Sequence, residues 1–97
     1  MPTYFIFETT TREGMLTVTD APKRSEGLPA AAASYGVKII EWFFLAEVHD
    51  FVMKVEAPDD ETIMTFVLSI ARGGNVTPRF SRAFSPAEWT EMVGKIT

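Results

Sequence analysis

The chain has no cysteine and only one histidine among its 97 residues. Without cysteine there are no disulfides, no thiol catalysis and no zinc site built on thiolates. One histidine with no second soft ligand gives no converging set for a transition metal. No apolar run approaches the roughly 18 residues of a membrane span. The opening MPTYFIF has no basic stretch and no small-residue cleavage site, so it does not read as a signal peptide. Basic residues are also scarce, nine against thirteen acidic, for a net charge of −4. That argues against nucleic acid, which needs a basic surface. Gly73 and Gly74 follow a helical stretch instead of opening one, so they do not cradle phosphate. No nucleotide fingerprint and no serine–histidine–acid spacing is present. These absences predict a cytoplasmic protein with no cofactor, no metal, no nucleic-acid partner and no membrane contact.

What is present is apolar and aromatic: 46% and 12% of the residues. This composition excludes disorder and predicts one domain over residues 1–97 with a single core. The stretch VKIIEWFFLAEVHDFVMKVE, residues 37–56, is two β-rich runs around a short polar turn. Strand side chains alternate in direction, so Ile40, Trp42 and Phe44 share one face, as do Phe51, Met53 and Val55. A four-residue loop from Ala46 to His49 sets Phe44 opposite Phe51, Trp42 opposite Met53 and Ile40 opposite Val55. The same register sets Glu41 against Lys54, whereas a two-residue slip would face Glu41 with Glu56.

The remaining elements follow from local signals. Thr3 to Thr9 is a strand apolar on both faces, as suits a central position. Thr10 to Gly14 reads as a loop. A helix starts near Asp20, its candidate cap, and ends at Tyr35 with Gly36 as a left-handed stop. Pro29 should kink or break it, because proline removes a hydrogen bond and crowds the preceding turn. Asp59, Asp60 and Glu61 open a second helix, on which Ile63, Phe66, Val67 and Ile70 follow helical spacing. Val76 to Phe84 is a strand that Pro78 confines to an edge or a bulge. Ser85, Pro86 and Glu88 form a capping box for a short final helix bearing Trp89, Met92, Val93 and Ile96. The order predicts an α+β, ferredoxin-like βαββαβ fold: a four-stranded antiparallel sheet with two helices on one face, plus a C-terminal helix.

The opening MPTY, the hairpin tip ending in Asp50, VEAPDDE (residues 55–61), GGNV (73–76) and RAFSPAE (82–88) resemble the GYD-domain family in order and spacing. The aspartate of the family's Gly, Tyr, Asp signature matches Asp50. Its tyrosine position holds His49 and its glycine position Glu47, a residue that disfavours the left-handed conformation. The resemblance implies a dimeric α/β barrel in which two sheets pack face to face. Related barrels include cofactor-free monooxygenases, isomerases and ligand-binding modules.

Several residue sets are candidates for function. His49 and Asp50 suggest a general base oriented by a carboxylate, but neighbours on a strand point to opposite faces. Tyr4, Trp42, Phe44, Phe51 and Trp89 can line an apolar pocket between sheet and helices, or be plain core. Arg79 and Arg82 have opposite parity, which favours a solvated edge over an anion site. Ile39, Glu41, Phe43, Leu45, Val52 and Lys54 are expected on the open sheet face, as a homodimer interface. Two functions follow as expectations. One is a small binding or interaction module whose partners are a second copy and a small organic ligand. The other is a cofactor-free enzyme acting on a small apolar substrate, with His49 moving a proton.

Overall fold

A computed structural model describes residues 1–46 and 50–97. The elements are β1 (Thr3–Thr10), α1 (Arg12–Leu16), a 3-10 turn (Val18–Asp20), α2 (Ala21–Glu26), α3 (Leu28–Ser34), β2 (Lys38–Phe44), β3 (Phe51–Glu56), α4 (Asp60–Arg72), β4 (Val76–Ala83) and α5 (Pro86–Val93). The strands form one sheet in the order β2-β3-β1-β4, every pair antiparallel. This is the ferredoxin-like arrangement, with β1 and β3 central and Pro78 on the edge strand β4. No helix among the described residues is long and apolar enough to cross a membrane.

Local chemistry places most boundaries. Asp59 accepts a hydrogen bond from the Thr62 N–H at 2.8 Å, a cap for α4. Ser85 and Glu88 complete the reciprocal capping box of α5. Gly36 stops α3 with φ of 83°, a conformation that costs glycine nothing. The expected first long helix is two short ones, divided at Gly27, with Pro29 in the first turn of α3, where it loses no bond. Asp20 lies in the 3-10 turn and makes no side-chain cap bond, a correction to its reading as a cap.

Cross-strand register turns the alternation into rows. On the helix-covered face these run Phe44–Phe51–Glu8–Pro78, Trp42–Met53–Ile6–Phe80 and Ile39–Val55–Tyr4–Arg82. The pairings Phe44–Phe51, Trp42–Met53 and Glu41–Lys54 agree with the sequence reading. The pairing of Ile40 with Val55 does not. A β-bulge between Ile39 and Glu41 gives that place to Ile39, which packs against the core, and leaves Ile40 41% exposed. A bulge carries one extra residue on one strand, so the residues beyond it change face. Tyr4, Ile6, Met53 and Val55 meet Ile63, Phe66 and Val67 of α4 in the core.

The segment 10–14 is tied to the turn before β4. Thr11 receives a bond from the Gly14 N–H at 3.0 Å, donates its hydroxyl to the Gly74 carbonyl at 2.6 Å, and donates its N–H to the Asn75 carbonyl at 2.9 Å. Gly14 is buried where these strands of chain meet. A Cβ there would overlap the Asn75 carbonyl oxygen and stand 2.9 Å from Thr10 Cγ2. Gly14→Ala is therefore expected to cost about 1–3 kcal/mol, the range for overpacking. Urea denaturation measures it; an unchanged midpoint would show that the 74–75 turn yields freely.

Candidate functional site

The first row of the covered face holds a carboxyl where an apolar residue belongs. Glu8 continues the parity of Tyr4 and Ile6, and its cross-strand neighbours are Phe51 and Pro78. Neither offers a polar partner. Glu8 is only 5% exposed, and its Oε2 is buried with no hydrogen bond among the described residues. Burial disfavours the charged form and pushes its pKa up to about 7.

Above this row lies a cleft of about 320 Å³, at the small end of the range for small-molecule sites. Glu8, Phe44 and Phe51 line it from the sheet, Leu28 from α3, and Phe66 and Ile70 from α4. Short helices with small side chains leave this space, since α3 is LPAAAAS and buries only Ala32. Two other charged residues line the cleft. Asp50 accepts a hydrogen bond from the Thr10 N–H at 2.5 Å, while its own N–H bonds the Glu8 carbonyl at 2.9 Å. It thus clamps the end of β1. Arg24 directs Nη1 to the Thr17 carbonyl and hydroxyl, each at 3.2 Å.

The residues expected from sequence separate. Phe44 and Phe51 line the cleft and their rings meet at 4.9 Å. Tyr4 is core: its hydroxyl donates to Asp60 at 2.5 Å, and burial plus that bond push its pKa up to about 12. Trp42 is half-buried against the core outside the cleft, and Trp89 on α5 is 63% exposed. His49 and Glu47 lie outside the described residues. Among those residues no group of His, Asp and Glu is placed to hold a metal. Arg82 is not simply solvated: it bonds the Thr3 carbonyl at 3.2 Å, lies 4.4 Å over Phe84 and pairs with Glu88 at 3.5 Å. Glu8 was absent from the sequence candidates, although strand parity alone placed it beside Ile6.

Glu8 also yields a pH prediction with a definite sign. Its ordinary value is 4.5, and folding raises this to about 7. Between these values the unfolded chain ionises first, so stability falls as pH rises from about 4.5 through 7 and is level above. The full effect is on the order of 3 kcal/mol. Asp50 and Arg24, the other charged groups lining the cleft, remain in Glu8→Gln, as do all other titrating groups. Wild type minus Glu8→Gln, followed by urea unfolding from pH 4 to 8.5, isolates the slope. Parallel pH profiles would show that Glu8 ionises freely in the fold.

The opposite sheet face carries the rows Phe43–Val52–Phe7–Arg79, Glu41–Lys54–Phe5–Ser81 and Lys38–Glu56–Thr3–Ala83. Phe5 and Phe7 stack with centroids 6.4 Å apart, and Phe43 is 57% exposed. Ile39, expected on this face, is turned to the other by the bulge. Leu45 lies just past β2 and is exposed. The capping box and the Arg82–Glu88 pair tie the first turn of α5 to the end of β4. Beyond it Val93 and Ile96 are exposed. The radius of gyration is 14.8 Å, against about 12.5 Å for a compact chain of this length.

Together these features define an α+β, ferredoxin-like domain with a cleft under its helices and an open sheet face that mixes aromatic and charged residues. Comparison with known proteins agrees. The chain belongs to the GYD domain family, which it matches over residues 4–93. It is similar to a Thermus thermophilus protein named glutamine synthetase and cystathionine beta-lyase binding protein. The two are 31% identical over 77 residues, covering 78% of this chain and 81% of the relative.

Proposed function

We propose that this chain is a protein-docking module whose open sheet face pairs with a second copy of itself. The observation that carries this is Phe43, 57% exposed in the row Phe43–Val52–Phe7 on the sheet face opposite the core that α4 packs against. Burying a large apolar side chain stabilises by roughly 1.5–3 kcal/mol, and two-fold apposition buries each one twice. The face is also compatible with itself in charge. It presents Glu41 and Glu56, the latter opposite Lys38, along with Lys54 and Arg79, so a second copy need not set like charges together. Exposed Trp89 and Val93 of α5, with Ile96 just beyond it, are further apolar surface. The name of the Thermus relative supports docking of proteins as the general role.

Size-exclusion chromatography with light scattering tests the pairing. At tens of micromolar the expected mass is twice the 10.8 kDa of the chain. A single-chain mass at that concentration removes the proposal.

A further inference from the structure

We propose that the cleft bounded by Glu8, Phe44, Phe51, Leu28, Phe66 and Ile70 binds a small organic cation, an amine or amidine on an apolar body, held by the Glu8 carboxylate. The argument starts from the cost of the unliganded arrangement. A carboxyl oxygen buried without a partner loses its hydration and recovers nothing, a penalty that even a neutral group bears. Among the described residues no side chain supplies the missing donor to Oε2. Its neighbours in the sheet are a phenylalanine and a proline, and proline has no N–H to give. Glu8 therefore lines the cleft, and its Oε2, closed off from solvent, has acceptor capacity and no donor among the described residues. A plain core would fill that position with an aliphatic side chain.

The chemistry of the walls selects the ligand. Aromatic and aliphatic side chains dominate the lining, so the body of the ligand is apolar. The two carboxyls there differ in availability. Asp50 already accepts from the Thr10 N–H, whereas Oε2 of Glu8 is uncommitted. Arg24 is engaged with Thr17 through Nη1 and is exposed. A cationic donor beside Glu8 restores the ionised carboxylate in a site of low dielectric, where a charge-assisted bond is about twice as strong as a neutral one. An anionic ligand would instead meet two acidic groups against the single cation Arg24.

The test is a titration of nitrogen-15-labelled protein followed by amide chemical shifts, with three probes of matched size. These are 2-phenylethylamine, its neutral counterpart 2-phenylethanol, and anionic 3-phenylpropanoate. The amine is expected to saturate, to move the amides of Ser25, Leu28 and Ser69 that line the cleft, and to bind more tightly than the alcohol. Glu8→Gln should weaken the amine about tenfold or more and leave the alcohol unchanged. If that variant does not fold, the wild-type order of affinities decides alone. The proposal is overturned if the amine produces no saturable cleft shifts, if it binds no better than the alcohol, if folded Glu8→Gln binds it equally well, or if the propanoate binds best.

Discussion

Phe43→Glu is expected to convert the dimer to single chains at concentrations where wild type remains paired. Phe43 is the most exposed apolar residue of the open-face row and stands at its β2 end, opposite Val52. Each dimer carries the substitution twice. Losing two buried aromatic side chains removes about 3–6 kcal/mol of association energy, which weakens the dimer by more than about a hundredfold. The added carboxylates also resist burial without a partner. Glu41→Gln is the control, because it keeps the shape of the same face and removes only one charge of the cross-strand neighbours Glu41 and Lys54, worth about 0–1 kcal/mol. Light scattering across a dilution series reads both. Equal dissociation constants for Phe43→Glu and wild type would place the interface elsewhere, with the α5 stripe the next surface to substitute.

Phe66→Ala is expected to be the most damaging substitution within the fold. Its ring is fully buried on α4, packs 5.9 Å from Tyr35 and forms part of the cleft wall. Truncation removes its transfer energy and enlarges an existing cavity, together about 3–5 kcal/mol. Native stability of small domains is typically 5–15 kcal/mol, so thermal unfolding should begin well below the wild-type range. Phe84→Ala offers the contrast: that ring is exposed and meets mainly Arg82, so its loss should change stability little. Similar losses for the two variants would show that α4 does not form the core.

Much of the architecture was legible in residue order. The hairpin register could be read because Glu41 opposes Lys54 in one alignment and Glu56 in the slipped one. Pro78 marked an edge strand, and Ser85 with Glu88 marked a helix start, since both signals act within a few residues. The bulge at Ile40 left no such mark. The run VKIIEWFF is equally apolar with or without an extra residue, and only pairing along both strands reveals which residue is surplus. That one residue moved Ile39 from the expected interface to the core.

The candidate site was half legible. Alternation from Tyr4 and Ile6 already put Glu8 on the covered face, yet a glutamate at the end of a strand reads naturally as a solvated rim. Its burial depends on Phe51 and Pro78, which are 43 and 70 residues distant in sequence. Asp50, singled out beside His49, spends its carboxylate on the Thr10 N–H. The pocket assembled from aromatics alone was too broad, since Tyr4 went to the core and Trp89 to the surface.

Residue order specifies the elements, their succession and the faces of most of the strands, because caps, breakers and two-residue alternation are properties of neighbouring residues. Packing at a distance sets which Ile faces the core, that Glu8 is buried without a donor among the described residues, and that small alanine-rich helices leave a cleft above it. Each of those depends on how much volume and how many hydrogen-bonding groups distant segments bring to one place, and contacts of that range are set when the sheet and helices pack together.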